Sequence, residues 1–152
     1  MAIMMCMFVG CAAEQEEITQ DVEVVALGDT GVTLVLPIDQ GFLSQESQHN
    51  DFFGGGANGQ WCVIVNKDEK EDISIAEYVQ ATADANASER IGQDDYGNYY
   101  FIHLNKADEC QFYTAVRESE DGFYRIAFYC SVEKWPYYME EFAQWSATIQ
   151  IH

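Results

Sequence analysis

Three histidines and five cysteines are the side chains of this sequence best suited to nucleophilic, general-base or soft-metal chemistry. The histidines are His49, His103 and His152, and none has another His or a Cys at the short spacing from which zinc sites are assembled. A serine nucleophile on a strand-to-helix turn would carry Gly-x-Ser-x-Gly, and the chain has no such elbow. Cys62 falls in the apolar run 61–65, where desolvation favours the inert thiol. His103 sits within the β-rich run 99–104 and reads as a satisfied strand histidine rather than a base. The acid-rich stretches 68–72 and 94–98 lack the alternating acids, glycine and terminal Glu of a calcium-binding hand and read as solvated turns. Gly54, Gly55, Gly56 and Gly59 are not followed by Gly-Lys-Ser/Thr, so they do not form a phosphate loop. No catalytic residue, metal or cofactor is therefore assigned.

Cys110 and Cys130 form the most informative pair. They lie at the far ends of two apolar strands, 111–118 and 123–130, joined across a turn that contains Asp121-Gly122. If Val116 faces Tyr124, Cys110 lies opposite Cys130 and a cross-strand disulfide is feasible outside the cytoplasm. A slip of one residue sends the two thiols to opposite faces and rules the bridge out. Both outcomes are open at the level of sequence.

The elements that must hold these residues follow from patterning. Valine-rich runs around Gly28-Asp29-Thr30-Gly31 predict a hairpin over 22–36. Residues 39–60 show no sustained period and read as a long loop, with Phe52 and Phe53 as candidate binding residues at its end. Residues 61–65 follow as a buried strand. Ser74 with Glu77 three residues on is a capping box, and Ile75, Tyr78, Val79 and Ala83 recur at helical spacing, predicting a helix over 75–87. A strand over 99–104 and the pair just described complete a meander. Pro136 opens a final helix whose Tyr138, Phe142, Trp145 and Ile149 make a core stripe. Both faces of the strand pair are largely apolar, so the expected fold class is α+β: an α/β/α sandwich with a central antiparallel sheet covered by helices on both faces.

Charge and the N-terminus bear on location. The formal net charge is -19, from 26 acidic against 7 basic residues, which repels phosphate backbones and anionic lipid surfaces; a nucleic-acid partner is not expected. The apolar run 1–10 ending in Phe8-Val9-Gly10, then Cys11 and an acidic stretch, resembles the bacterial lipoprotein signal. The resemblance implies removal of residues 1–10 and a diacylglyceryl group on Cys11. Residues 11–21 then read as an acidic tether and 22–152 as one globular domain. Contact with the membrane is expected through the lipid anchor only, in the extracytoplasmic cell envelope.

The order of elements, with Leu36-Pro37, Gly41-Phe42, the helix around Ser74-Ile75-Ala76-Glu77-Tyr78, the meander and the final Phe142-Ala143-Gln144-Trp145-Ser146-Ala147-Thr148-Ile149 helix, resembles the PsbP-like superfamily, and within it the DcrB-like bacterial lipoproteins. The resemblance covers about residues 22–149 and implies an αβα fold and a non-enzymatic binding or accessory role; it transfers no binding residue. The expected partner is a protein or a small apolar ligand. The alternatives are a structural or adaptor lipoprotein without a pocket, and a hydrolase-type enzyme built around His103 or His49.

Overall fold

The computed structural model describes residues 22–37 and 41–152. Two sheets and two helices account for nearly all of them. Strands β1 (Val22–Ala26) and β2 (Val32–Pro37) form the expected hairpin, and the short β10 (Gln150–Ile151) pairs with the start of β2, beside the turn, to complete a three-stranded sheet in the order β1-β2-β10. The main sheet is seven-stranded and antiparallel throughout, in the order β3-β4-β5-β9-β8-β7-β6. Its strands are β3 (Phe42–Gln45), β4 (Phe52–Gly56), β5 (Cys62–Glu69), β6 (Arg90–Gln93), β7 (Tyr99–Asn105), β8 (Cys110–Glu118) and β9 (Gly122–Ser131).

Strand parity decides which side chains share a face. One face carries Phe52, Val63, Val65, Tyr113, Ala115, Ile126 and Phe128, and is packed against Leu34 and Leu36 of β2 and against helix α2 (Trp135–Ala147). Tyr138, Phe142 and Trp145 bury the predicted stripe, with the Phe142 and Phe128 rings stacked 5.5 Å apart. Arg117 fastens the end of α2 by donating from Nη2 to the Ser146 carbonyl at 2.7 Å. The opposite face carries Phe101, Val116 and Phe123 beneath Tyr78, Val79 and Ala83 of α1 (Ile75–Ala85), a second and smaller core. The fold is therefore α+β and dominated by sheet. The expected helical layers shrink to a single helix for each face, one sharing its side with a second sheet and the other spanning only part of its own.

Several sequence expectations are corrected. The long loop holds two strands, β3 and β4, hidden by their glycines. A Cβ on Gly55 would lie 2.4 Å from the Trp61 carbonyl oxygen and one on Gly56 would lie 2.6 Å from the Trp61 indole nitrogen, so glycine is demanded by close approach rather than by a turn. The β8–β9 hairpin pairs Val116 with Arg125 and Arg117 with Tyr124, one residue off the register that would bring the two cysteines opposite each other. Cys110 instead faces Ser131 and Cys130 faces Gln111, placing the thiols on opposite sides of the sheet, and both are free. The same slip puts Phe112, Thr114 and Val116 on a face with Arg125, Ala127 and Tyr129. Helix α1 ends at Ala85, two residues early, and Ile149 lies beyond α2, ahead of β10. Cys11 and the segments 1–10 and 11–21 lie outside the described residues.

Candidate functional site

Among the described residues, α1 covers only part of its face of the sheet. Beyond the helix an aromatic row crosses three strands: His103 on β7, Phe112 on β8 and Tyr129 on β9, with ring centroids 4.6 Å apart at both steps. The row continues through Cys62 on β5 to Gly55 and the exposed Leu43. Aromatic pairs at such spacing stabilise a sheet across its strands. Here the rings remain partly open to solvent, and no helix among the described residues packs on them.

The next row on the same face is Phe101, Thr114, Ala127, Ile64 and Phe53. Its two central side chains are short, and same-face rows stand about 6.8 Å apart along a strand. The result is a recess of about 250 Å³ floored by Thr114, Ala127 and Ile64, walled by Phe112 and His103, and faced by Arg125 from the third row. Asn86, the C-cap of α1, closes one end.

The polar groups of this recess are sparse and underused. Thr114 is only 3% exposed, and its hydroxyl has no hydrogen-bond partner among the described residues. His103 Nδ1 is buried without a partner, and burial holds the imidazole below its usual pKa, in the neutral form. Arg125 donates from Nη2 to Asp68 Oδ1 at 3.2 Å; its Nε lies 3.1 Å from Asp68 Oδ2, within ion-pair distance but misaligned for a hydrogen bond. Asp68 also accepts from the Tyr78 hydroxyl, so the guanidinium is neutralised and held in place from the α1 side.

A second, wider groove of about 770 Å³ runs between α2 and the β6–β7 hairpin on the other face. Tyr100 stacks on Tyr113 at 4.9 Å and leans over Gly92, where a Cβ would meet the tyrosine hydroxyl at 2.7 Å. Ala143 and Ala147 leave this trough open, while Arg90, Asp95 and Glu140 rim it with mixed charge.

The structure separates the sequence-derived candidates. Phe52 points into the main core, 7% exposed and stacked on Phe42 at 6.2 Å, and cannot be presented to a ligand. Phe53, one residue on, turns to the open face beside Ile64. Cys62 lies on that face, whereas Cys130 is buried behind it with its pKa pushed up to about 11 by desolvation. Burial and the neighbouring Asp108 also raise the Cys110 thiol. His49 is exposed, and His152 shares a 2.9 Å hydrogen bond with the Thr33 hydroxyl. Among the described residues no hydrogen bond joins the imidazole of His49 or His103 to an acid, serine or thiol, the one contact of His49 with a serine being its backbone N–H donating to Ser47 Oγ at 3.3 Å, and no three His, Cys, Asp or Glu side chains converge as a metal site. Thr114 and Arg125 were missed by motif reading. The available signal was the parity pattern of β8 and β9, where a threonine and an alanine interrupt bulky neighbours.

The overall fold is similar to that of cyanobacterial PsbP (CyanoP) from Synechocystis sp. PCC 6803, with a TM-score of 0.58, 10% identity and 99% of each chain covered. Likeness at that identity concerns the fold and not the site. No family model and no curated protein matches the chain. No helix among the described residues is long and apolar enough to cross a membrane.

Proposed function

We propose that this chain is a non-catalytic binding module of the cell envelope, a lipoprotein of DcrB-like kind, held outside the cytoplasm by a lipid on Cys11. Its binding surface is the open half of the main sheet, and its ligand is a small molecule with a flat, largely apolar body. The observation that carries this reading is the partly exposed row His103–Phe112–Tyr129 beside a recess, on a face whose other half is sealed by α1. Concave apolar surfaces with a few convergent polar groups are the usual form of small-ligand sites. The apolar run before Cys11 and the acidic stretch after it support the address.

Two measurements test the proposal. Intact mass spectrometry of the full-length protein from bacterial membranes should show loss of residues 1–10 and gain of a diacylglyceryl group, with Cys11→Ala carrying neither change. An uncleaved, unmodified wild type in the soluble fraction would overturn the address. Titration with a small aromatic fragment set, followed by NMR, should shift Phe53, Ile64, Phe112 and Tyr129 before Tyr137 and Met139 on α2. Shifts confined to α2 would move the binding surface to the opposite groove.

An adaptor role is the second reading. It is favoured by β3, an uncharged strand at the edge of the main sheet with Leu43 57% exposed, which offers backbone groups for strand addition.

A further inference from the structure

The small sheet has an outer face that is uncharged and largely apolar. By strand parity it carries Val22, Val24 and Ala26 of β1, with Pro37, Val35 and Thr33 opposite them on β2, and β10 adds no charge to it. The alternate residues Val25, Leu34 and Leu36 turn inward to the core. Glu23, the acid of β1, has that inward parity and is clear of the face. Val24 at 68% and Val22 at 60% are the most exposed large aliphatic side chains among the described residues. We propose that this face lies against a zwitterionic lipid bilayer, a protein contact added to the lipid contact expected from the sequence. It rests on the proposed lipid at Cys11.

Size argues against a protein occupant. Strand rise and spacing make the face roughly 17 Å by 14 Å, a footprint of roughly 240 Å². Each partner in a stable protein interface gives ~800 Å², more than three times as much. A second copy would also bring another net charge of -19 alongside the first. A bilayer sets no such threshold for a domain already tied to it, because the tether supplies the effective concentration and a small apolar area adds to the anchor.

Position and charge point the same way. Val22 stands at the corner where the chain from Cys11 enters the sheet, and the two residues are eleven positions apart, at most about 40 Å of chain at ~3.6 Å per residue. The part of an anchored domain nearest the membrane is where its tether joins, and here that part is valine. Anionic headgroups repel so acidic a chain, which leaves a neutral, zwitterionic surface as the one it fits.

The full-length protein should be purified from bacterial membranes, its lipid verified by mass, and placed in phosphatidylcholine nanodiscs spin-labelled near the top of the acyl chain. NMR should show at least threefold greater paramagnetic broadening for the methyls of Val22, Val24 and Val35 than for those of Leu43 and Met139, which are exposed elsewhere on the molecule. Val24→Asp, an exposed change that keeps the lipid, should return Val35 to the level of these controls, with unshifted methyls of the fully buried Val63 marking an intact fold. Uniform broadening, or broadening at Val35 that Val24→Asp does not reduce, would mean that the tether alone brings the domain close; the inference would fall and the address would stand. Valine shifts that grow with protein per disc in the absence of spin label would assign the face to a second copy and overturn the inference equally. A protein that carries no lipid would overturn both.

Discussion

His103 shows how one residue can be named by sequence and yet acquire its character only from its neighbours. A histidine in a strand is a candidate base, but here the ring is sandwiched between Phe101 at 5.9 Å and Phe112 at 4.6 Å, and its Nδ1 finds no partner. Desolvation disfavours the charged form, so the folded-state pKa lies below the ordinary histidine value. The unfolded chain therefore takes up a proton more readily, and stability present above pH ~6.5 is lost as the pH falls toward the depressed folded value. The contribution is at most about 1.4 kcal/mol per pH unit in that window, and less because the ring is partly exposed. Urea unfolding between pH 7.5 and 5.0 should show a steeper loss for the wild type than for His103→Phe, which keeps the ring stack. Parallel curves would mean that His103 titrates normally.

At the scale of elements, α1 is the clearest case of sequence and structure agreeing at one end and disagreeing at the other. Its start is written locally: the Ser74 hydroxyl accepts from the Glu77 amide at 3.3 Å, and the Glu77 carboxylate accepts from the Ser74 amide at 2.9 Å. Its end is a Schellman arrangement, with Ser88 N bonded to the Ala83 carbonyl at 2.9 Å and Ala87 N to the Asp84 carbonyl at 3.1 Å. Glycine is the usual residue at the left-handed position of that motif, but here Ala87 occupies it with φ of 49°. Alanine favours helix continuation, which is why periodicity extends the element to residue 87. Ala87→Gly should stabilise the protein by about 1 kcal/mol, read as a higher urea midpoint with unchanged slope. A lower midpoint would show that the alanine methyl packs favourably enough to outweigh its backbone strain.

For the whole molecule, the governing feature is excess negative charge on a small fold. Three side-chain ion pairs, Lys67–Asp121, Lys70–Glu118 and Arg125–Asp68, tie β5 and the residues following it to the β8–β9 hairpin and use three of the seven basic residues. They leave most of the acids uncompensated. Self-repulsion destabilises the compact state and is screened by salt, whose Debye length falls from about 30 Å at 0.01 M to about 3 Å at 1 M. Raising sodium chloride from 10 mM to 500 mM should raise the melting temperature by ~3–8 °C, the change expected for roughly 1 kcal/mol in a small domain. A fall would mean that the ion pairs matter more than the repulsion.

The sequence by itself determined the character of most elements: the β1–β2 hairpin, the capped start of α1, the core stripe of α2 and the apolar meander. These depend on patterns within a few residues, where propensity and periodicity act. It also carried the net charge and the candidate lipid site, which are matters of composition and order. Only the tertiary structure decided the register of β8 against β9, and one residue there settled the fate of Cys110 and Cys130 and the membership of both sheet faces. Register depends on how a four-residue loop closes and on what each face packs against, neither of which is written in a local pattern. The strands β3 and β4 were hidden for a related reason, since glycines at 54–56 read as loop until Trp61 is placed against them. The recess arises the same way: Thr114, Ala127 and Arg125 come from separate strands, and short and long side chains make a cavity only once the sheet has aligned them.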